Sequence, residues 1–234
     1  MRYTLCAVFV LFCLLVSGCA RGGEKQVPTA TDLPAVVITP TVPTPSKPEK
    51  EPNDDDFVRV QDYIPSVVVD LKYATNDNIS GQVIYDFTDA YLRYGTVKKL
   101  IPVQATLQKQ GYRLKIWDAF RPVQAQFVLW EAYPVSAYVA NPNGGYSSHS
   151  KGNTLDVTLV DAKGNDVEMP TGFDSFSTKA NRDYSDCTPA AEQHALILEH
   201  AMEENGFTPY YSEWWHFTDY NSYPVEQTFT PPKQ

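Results

Sequence analysis

The chain has 234 residues, of which 43% are hydrophobic and 20% are charged, so it is long enough to bury a substantial core. Its formal net charge of −9 argues against a nucleic-acid-binding protein, because neutralising phosphates requires a clustered Lys and Arg surface. An acidic balance favours solubility but identifies no partner.

The N-terminus has the pattern of a bacterial lipoprotein signal. Arg2 gives a short positive start, the apolar run LCAVFVLFCLLV is too short for a transmembrane helix, and VSGCA follows it. A small residue before a cysteine resembles a lipobox, so we expect residues 1–18 to be a signal peptide and Cys19 to carry a lipid anchor in the membrane. An ordinary signal peptide or a plain anchor is the alternative. All three interpretations predict an extracytoplasmic domain.

Residues 19–56 are rich in Pro and Thr, with a charged end and neither helical nor strand periodicity. This composition predicts a partly extended tether without a core of its own. Cys6 and Cys13 lie in the predicted signal peptide and Cys19 is the predicted lipid site, which leaves Cys187. A single thiol cannot form an intramolecular disulfide, and we expect it to be buried and inert rather than a nucleophile.

Residues 57–234 are predicted to form one mixed domain without internal repeats. Residues 66–74 and 112–120 are β-branched or alternating runs that are typical of strands. Between them, residues 94–111 have the character of a helix that ends at a glycine.

Two further helices are predicted downstream. RPVQAQFVLWEAY has Pro122 at the first helical position and three apolar residues on one face: Val123, Phe127 and Trp130. TPAAEQHALILEHAMEENG begins with a Thr188 cap and Pro189, ends at Gly206 and carries an apolar stripe of Ala191, Ala195, Leu198 and Met202. Strands in TLDVTLVDAKGN and FTPYYSEWWHFTDY complete the pattern. Because βαβ alternation is not regular, we predict an α+β fold with a largely antiparallel sheet and flanking helices.

The stretch SSHSKGNTLD contains the first pair of candidate metal ligands, His149 and Asp156. Their odd separation would put them on opposite faces of a regular strand, so they converge only if the chain turns between them. Gly152 gives the backbone the freedom for such a turn. The alternative is a pair of polar residues in a turn before a strand.

The second candidate stretch is SEWWHF, in which Glu213 and His216 are three residues apart. A straight strand would separate them, so a helical turn or an irregular strand end is required. The two stretches together offer two imidazoles and one carboxylate, and catalytic zinc typically keeps three protein ligands and one position for water. Glu213 is placed to take a proton from that water.

Other polar residues have a structural and a functional interpretation. His194 and His200 lie on the last predicted helix and are expected to be surface residues or satisfied core residues. Arg121, at the corner between a strand and a helix, either forms a salt bridge with Asp118 or acts as an electrophilic clamp for an oxyanion.

Five stretches occur in a defined order: DLKYATNDNISG, IWDAFRP, SSHSKGNTLDVTL, GFDSF and NGFTPYYSEWWHF. They closely resemble the zinc D-alanyl-D-alanine dipeptidases of peptidase family M15, whose motifs are SxHxxGxxxD and ExWH. The resemblance covers residue 57 to the C-terminus. It implies a fold of the Hedgehog/D-Ala-D-Ala metallopeptidase type and one Zn²⁺ ion per subunit.

The resemblance also implies a role for individual residues. Three positions match the zinc ligands: His149, Asp156 and His216. Two match catalytic positions: Glu213 as the base and Arg121 as the group that stabilises the tetrahedral intermediate. Three match positions that shape the dipeptide pocket: Tyr73, Ser147 and Asp174. Of these, Asp174 would face the ammonium group of the substrate. One departure from the family is that Asn153 and Thr154 stand where small residues are common, so altered specificity would be sought there first.

The implied activity is zinc-dependent hydrolysis of D-alanyl-D-alanine at the cell surface, linked to peptidoglycan metabolism. A D,D-carboxypeptidase that removes terminal D-Ala from stem peptides is the alternative enzyme, and substrate length separates the two. A non-catalytic wall-binding module is the alternative from another class. The presence of all three ligand positions, Glu213 and Arg121 argues against that module.

Overall fold

The computed structural model describes residues 50–136 and 138–233. The predicted signal peptide, Cys19 and residues 19–49 of the predicted tether lie outside these ranges. Among the helices of the described part, none is both long and apolar enough to cross a membrane.

Seven strands, numbered in chain order, form two sheets in the described residues. They are β1 (Phe57–Arg59), β2 (Val68–Val69), β3 (Tyr91–Arg93), β4 (Tyr112–Asp118), β5 (Thr154–Asp161), β6 (Phe207–Tyr210) and β7 (Glu213–Asp219). The larger sheet has the order β2-β4-β5-β7-β6, and β1 pairs with β3 in a separate ribbon. All neighbouring strands are antiparallel except the pair β2 and β4. The prediction of an α+β fold with a largely antiparallel sheet is therefore confirmed.

The helices are α1 (Val60–Tyr63), α2 (Tyr94–Lys109), α3 (Val123–Ala132) and α4 (Pro189–Glu203). Short 3-10 helices occupy Lys72–Ala74, Ser148–Lys151 and Thr178–Ala180. Helix α2 contacts β4 and α4, and α4 contacts the strands β5, β6 and β7. The two long helices thus pack on the central sheet and bury the main hydrophobic core.

The α4 helix forms as the sequence predicts. The hydroxyl of Thr188 accepts a hydrogen bond of 3.2 Å from the Ala191 N–H, which satisfies one donor of the first turn. Pro189 is the first helical residue, and its missing N–H costs nothing there. All four predicted stripe residues are buried: Ala191, Ala195, Leu198 and Met202.

Two local predictions are wrong. Pro122 is the residue before α3 rather than its first residue, and the buried face of α3 is formed by Ala125, Gln126 and Leu129. The predicted face is only partly buried, because Phe127 is 37% exposed while Trp130 packs against the core. A polar residue faces inward because Gln126 hydrogen-bonds Arg121 Nη1 at 2.8 Å and the Ala140 carbonyl at 2.7 Å. Residues 66–74 form only the two-residue β2 before the chain turns into a 3-10 helix.

Strand β5 lies in the middle of the larger sheet, and both of its faces are covered. Leu155, Val157 and Leu159 belong to the hydrophobic core. Since side chains alternate along a strand, Asp156 projects from the opposite face. One strand therefore contributes to the core and to the candidate site.

The end of the predicted tether contacts the domain. The carbonyl of Asp54 accepts a hydrogen bond from Gly95 N, and that of Asp56 accepts one from Tyr94 N. The Tyr94 hydroxyl donates to a carboxylate oxygen of Glu51 at 2.7 Å. Residues 51–56, which precede β1, are therefore hydrogen-bonded to the start of α2.

The turn between His149 and β5 depends on Gly152. This residue has φ +75°, a left-handed conformation that side chains disfavour. A Cβ atom at this position would lie 2.4 Å from Cε1 and 2.6 Å from Cζ of Phe57. The predicted role of Gly152 in reversing the chain is confirmed, and close packing adds a second reason for glycine.

We expect Gly152→Ala to lower the free energy of unfolding by more than Gly111→Ala does. Gly111 also has a positive φ, +85°, but open space surrounds its Cα, so this variant measures backbone strain alone, about 1–2 kcal/mol. The Phe57 clash should add to that cost at Gly152. Urea denaturation of both variants provides the comparison, and equal losses would show that the Phe57 contact relaxes freely.

Candidate metal centre

His149, Asp156 and His216 bring one potential ligand atom each to within 4.8 Å of one another. His149 Nε2 lies 3.5 Å from Asp156 Oδ2, and His216 Nδ1 lies 3.0 Å from Asp156 Oδ1. Asp156 therefore stands between the two imidazoles. All three groups are at least partly buried.

Strand pairing places Asp156 beside His216. In the antiparallel pair of β5 and β7, these two residues are direct cross-strand partners. Direct partners project from the same face of a sheet with their Cβ atoms about 4.5–5.5 Å apart. The register, and not proximity in sequence, thus assembles this half of the site.

An irregularity at the start of β7 brings Glu213 to the same site. Pro209 pairs with Phe217, so regular pairing would place Tyr210 opposite His216, yet Tyr210 pairs with Glu213 instead. The extra residues on β7 remove the alternation that would send Glu213 to the far face. Glu213 Oε2 consequently lies 3.5 Å from His216 Nδ1. This confirms the prediction that an irregular strand end or a helical turn is required.

The ring of His149 is oriented by its second nitrogen. Nδ1 lies 2.9 Å from the Ala119 carbonyl oxygen and 3.4 Å from Asp118 Oδ2. A carbonyl can only accept, so Nδ1 carries a hydrogen, and Nε2 is the ring nitrogen that faces Asp156. Such an arrangement is common around metal-binding imidazoles.

Electrostatics distinguishes Asp156 from Glu213, the two carboxylates that adjoin the imidazoles within the cleft. Burial alone would raise the pKa of Asp156, but the neighbouring His149 and His216 outweigh it and hold that pKa below its ordinary value. Burial raises the pKa of Glu213 to about 7, with His216 opposing the rise and Asp156 adding to it. Asp156 is thus suited to remain an anionic ligand, whereas Glu213 can exchange a proton near neutral pH.

Arg121 forms the predicted salt bridge and also lines the cleft. Its Nε and Nη2 donate to Asp118 Oδ2 at 3.0 and 2.6 Å, and Nη1 donates to Gln126 at 2.8 Å. A guanidinium has five N–H groups, so two remain after these bonds. Nη2 also lies 4.0 Å from Asp156 Oδ2. The structural and the functional interpretations of Arg121 are compatible, because the salt bridge orients a cation that faces the site.

Asp174 lies at another part of the cleft wall, in a left-handed backbone conformation with φ +54°. One oxygen of its carboxylate accepts hydrogen bonds from the Tyr73 hydroxyl at 3.1 Å and from Ile79 N at 3.3 Å. Burial, followed by repulsion from Asp156, raises the pKa of this carboxyl to about 7. The ring of Tyr73 packs under Arg121, whose Cζ is 4.8 Å from the ring centroid.

The cleft has a volume of about 440 Å³ and is lined by the eight predicted catalytic, metal-binding and substrate-binding residues. Ser147 lines it, and its hydroxyl accepts a hydrogen bond of 3.3 Å from His149 N. Aromatic side chains form part of the wall, among them Tyr138, Tyr146, Phe176 and Tyr210. Asn153 and Thr154 do not line the cleft. Asn153 donates to the Asn221 carbonyl at 2.9 Å, so its role is to join β5 to the chain after β7.

The residues present fit a divalent metal ion. Two imidazole nitrogens and one carboxylate oxygen are the donor set of many catalytic zinc sites. His149 Nε2 faces this cluster, and the carboxylate of Asp156 stays ionised at neutral pH. A fourth group, the carboxyl of Glu213, adjoins the three ligand candidates without being one of them.

The structure therefore brings together all eight site residues that the sequence predicts in the described part of the chain. His194 and Cys187 lie elsewhere: His194 Nδ1 contacts the Glu168 carbonyl at 2.8 Å, and Cys187 Sγ contacts the Tyr184 carbonyl at 3.1 Å. Sequence analysis missed the Ala119 carbonyl that orients His149. A backbone group of this kind leaves no signal in the residue type.

We expect the stability of the metal-free protein to fall as the pH rises toward about 7, because of Asp174. The folded chain holds the carboxyl proton to a pKa of about 7, against an ordinary value of 3.8. Between these values the folded state retains a proton that the unfolded chain has released, so the free energy of unfolding decreases with pH. Since each pKa unit corresponds to about 1.4 kcal/mol, the decline should be a few kcal/mol.

Urea denaturation of chelator-treated protein from about pH 4 to about pH 8 measures this effect. Asp174→Asn should reduce the slope, whereas Asp166→Asn, at a side chain that is 73% exposed, should leave it unchanged. Identical profiles for the wild type and Asp174→Asn would contradict the assignment.

Comparison with known proteins agrees with this geometry. A family model for peptidase family M15, described as D-ala-D-ala dipeptidase, matches residues 53–231. The D-alanyl-D-alanine dipeptidase of Escherichia coli (strain K12) is 39% identical over 153 residues, which cover 65% of this chain and 79% of that protein. The enzyme of the same name from Enterococcus faecium is 30% identical over 181 residues, 69% of this chain and 90% of that protein. That of Enterococcus faecalis (strain V583) is 29% identical over 188 residues, 70% of this chain and 91% of that protein.

The matched region includes both strands that carry the ligand candidates, the cleft and the helices behind the sheet. The resemblance noted from the five ordered motifs is confirmed. Members of this peptidase family are metallopeptidases, in agreement with the cluster of His149, Asp156 and His216. The chain belongs to the D-Ala-D-Ala dipeptidase family of M15 peptidases.

Proposed function

We propose that this chain is a zinc-dependent dipeptidase that hydrolyses D-alanyl-D-alanine and acts in peptidoglycan metabolism. The observation that carries the proposal is the convergence of His149, Asp156 and His216 within 4.8 Å, with Glu213 beside them. The names of the relatives in Escherichia coli and Enterococcus faecium support the substrate.

One zinc ion per chain would be held by His149, Asp156 and His216. When bound, zinc supplies Lewis acidity toward the peptide carbonyl and lowers the pKa of a water molecule. Glu213 is the group that takes the proton from the attacking water, since its carboxyl adjoins His216 and has a pKa of about 7. The same carboxyl then delivers the proton to the departing amine.

Arg121 is proposed to stabilise the negative charge that develops on the carbonyl oxygen. Its guanidinium is buried in the cleft wall, and Asp118 and Gln126 fix its orientation. Because this cation is oriented before the substrate binds, little reorganisation is needed when the charge appears. Arg121 Nη2 lies 4.0 Å from Asp156 Oδ2, so the cation is close to the ligand candidates.

Asp174 is proposed to bind the ammonium group of the substrate. Its carboxylate accepts two hydrogen bonds, from Tyr73 and Ile79, which leaves further acceptor capacity toward the cleft. An ammonium group there would lower the raised pKa and complete the pairing of a buried charge. A free N-terminus would thereby be required, which favours a dipeptide over the end of a longer chain.

The place of action is proposed to be the outer face of a membrane. This part of the proposal rests on the N-terminal sequence alone, in which Cys19 follows an apolar run and precedes a Pro- and Thr-rich tether. Export would bring the enzyme to products of cell-wall turnover. Metabolic labelling with a fatty acid would identify lipid on Cys19, and Cys19→Ala should abolish it.

Glu213→Gln should lower kcat for D-Ala-D-Ala by about 10²–10⁴-fold, because the amide cannot take up the proton. Zinc content should stay near about one ion per chain, since Glu213 is not among the ligand candidates. Steady-state kinetics and atomic emission measure the two quantities. Glu204→Gln, at an exposed position after α4, is the control. Full activity of Glu213→Gln would refute its role as the base.

Acetylation of the substrate amine should reduce kcat/KM by roughly 10- to 100-fold, because the buried carboxylate of Asp174 loses its cation. Asp174→Asn should narrow the difference between free and acetylated D-Ala-D-Ala. A stem pentapeptide that ends in D-Ala-D-Ala should resist cleavage for the same reason. Efficient cleavage of the pentapeptide would instead identify a D,D-carboxypeptidase.

A further inference from the structure

A buried arginine behind the site, Arg182, contacts the strand segment that carries Glu213 and His216. It follows the 3-10 helix Thr178–Ala180, and its side chain is only 6% exposed. It does not line the cleft. Any effect of Arg182 on the reaction must therefore act through the residues that it holds.

The guanidinium binds backbone on both sides of the irregular strand start. Nη2 donates to the His216 carbonyl at 2.9 Å and to the Glu213 carbonyl at 3.2 Å. Nε donates to the Tyr210 carbonyl at 2.9 Å, and the backbone N–H of Arg182 donates to the Tyr211 carbonyl at 3.0 Å. One residue thus satisfies four carbonyls of the β6–β7 hairpin.

Arg182 is itself held from helix α4. Its Nη1 donates to Glu199 Oε2 at 2.8 Å, and the Tyr184 hydroxyl donates to the same oxygen at 2.6 Å. Nη1 also approaches the Tyr184 hydroxyl at 3.5 Å. The guanidinium carbon lies 4.3 Å from the ring centroid of Phe217, where the cation contacts the aromatic face. The position of the guanidinium is consequently defined by a carboxylate, an aromatic ring and three carbonyls together.

Regular pairing of β6 with β7 would separate the side chains of Glu213 and His216. If β7 continued its alternation, Tyr210 would pair with His216, and Glu213 would project from the opposite face three residues earlier. The irregular segment leaves carbonyls without ladder partners, and buried carbonyls without donors are costly. In this structure the Arg182 guanidinium supplies donors to three carbonyls of the segment, those of Tyr210, Glu213 and His216.

We infer that Arg182, together with Glu199, is a positioning residue that sets the placement of Glu213 relative to His216. This inference rests on the proposed function, because Glu213 and His216 are the residues whose roles it serves. The placement of Glu213 thus requires a residue that contacts the β6–β7 hairpin from outside the cleft.

The test compares Arg182→Met with Leu107→Ala at a temperature well below both unfolding midpoints. Met keeps an unbranched apolar side chain against Phe217 but removes every side-chain donor. Leu107 is fully buried on α2 outside the cleft, so its truncation destabilises the fold by about 2–5 kcal/mol without touching the hairpin. Zinc affinity is measured by chelator competition without substrate, and kcat and KM are measured with D-Ala-D-Ala.

We expect Arg182→Met to weaken zinc binding and to lower kcat by about 10- to 100-fold each, as for other outer partners of metal ligands. KM should change by less than about threefold, since the substrate contacts are intact. Leu107→Ala should lower the unfolding midpoint but leave zinc affinity and kcat near the wild-type values. If Arg182→Met instead behaves like Leu107→Ala, Arg182 is merely structural and the inference is overturned.

Arg182→Lys decides the question if Arg182→Met does not fold. Lysine keeps a cation opposite Glu199 but lacks the planar fork that reaches several carbonyls at once. Arg182→Lys should remain at least about fivefold below wild type in zinc affinity and kcat, and wild-type values would overturn the inference.

A wild-type protein that binds zinc but leaves D-Ala-D-Ala intact would refute the proposed substrate, while zinc affinity would still test the role of Arg182. If the wild type binds no zinc, both proposals fall.

Discussion

Crowding of acidic groups in one buried cleft is the constraint on which the site depends. Asp156, Glu213 and Asp174 line a cavity of about 440 Å³, and Asp118 lies behind it. Buried carboxylates are stable as anions only beside positive charge or hydrogen-bond donors. Arg121, the imidazoles and the Tyr73 hydroxyl meet part of this requirement. Burial, followed by repulsion between the acids, leaves two of the carboxyls with pKa values of about 7, so a dication and an ammonium group would both supply missing positive charge.

The backbone around this cleft is irregular at three places. The pairing of β4 with β5 shifts between Ile116 and Asp118, so that Asp118 lies opposite Asp156. The chain turns at Gly152 before β5, and β7 begins with the irregular segment at Glu213. The turn and the irregular strand start bring His149 and Glu213 to the cleft, and the shift in β4 brings Asp118 to the salt bridge with Arg121 behind it. Buried arginines stabilise two of them: Arg93 donates to the Lys151 carbonyl at 3.0 Å, beside the turn, and Arg182 holds the hairpin.

The sequence predicts the elements of this domain better than their edges. Helix α4 follows from its cap and stripe, because those signals are local. The inward face of α3 does not, because Gln126 is buried by a hydrogen bond to Arg121 that no hydrophobic pattern encodes. The ligand candidates follow from residue type and from the ordered motifs, yet the convergence of Asp156 and His216 depends on the register between β5 and β7. Arg182 escapes prediction altogether, since its partners are mostly backbone carbonyls.

The left-handed backbone at Asp174 restricts which amino acids can occupy this position without strain. At φ +54°, most side chains are strained, and glycine, asparagine and aspartate are the residues that tolerate the conformation best. Of these three, only aspartate carries a charge. The backbone conformation of the loop and the carboxylate at this end of the cleft are therefore coupled through the choice of aspartate. A relative that recognises a different group at this position would either accept backbone strain, as Tyr184 does in this chain at φ +52°, or change the loop together with the side chain.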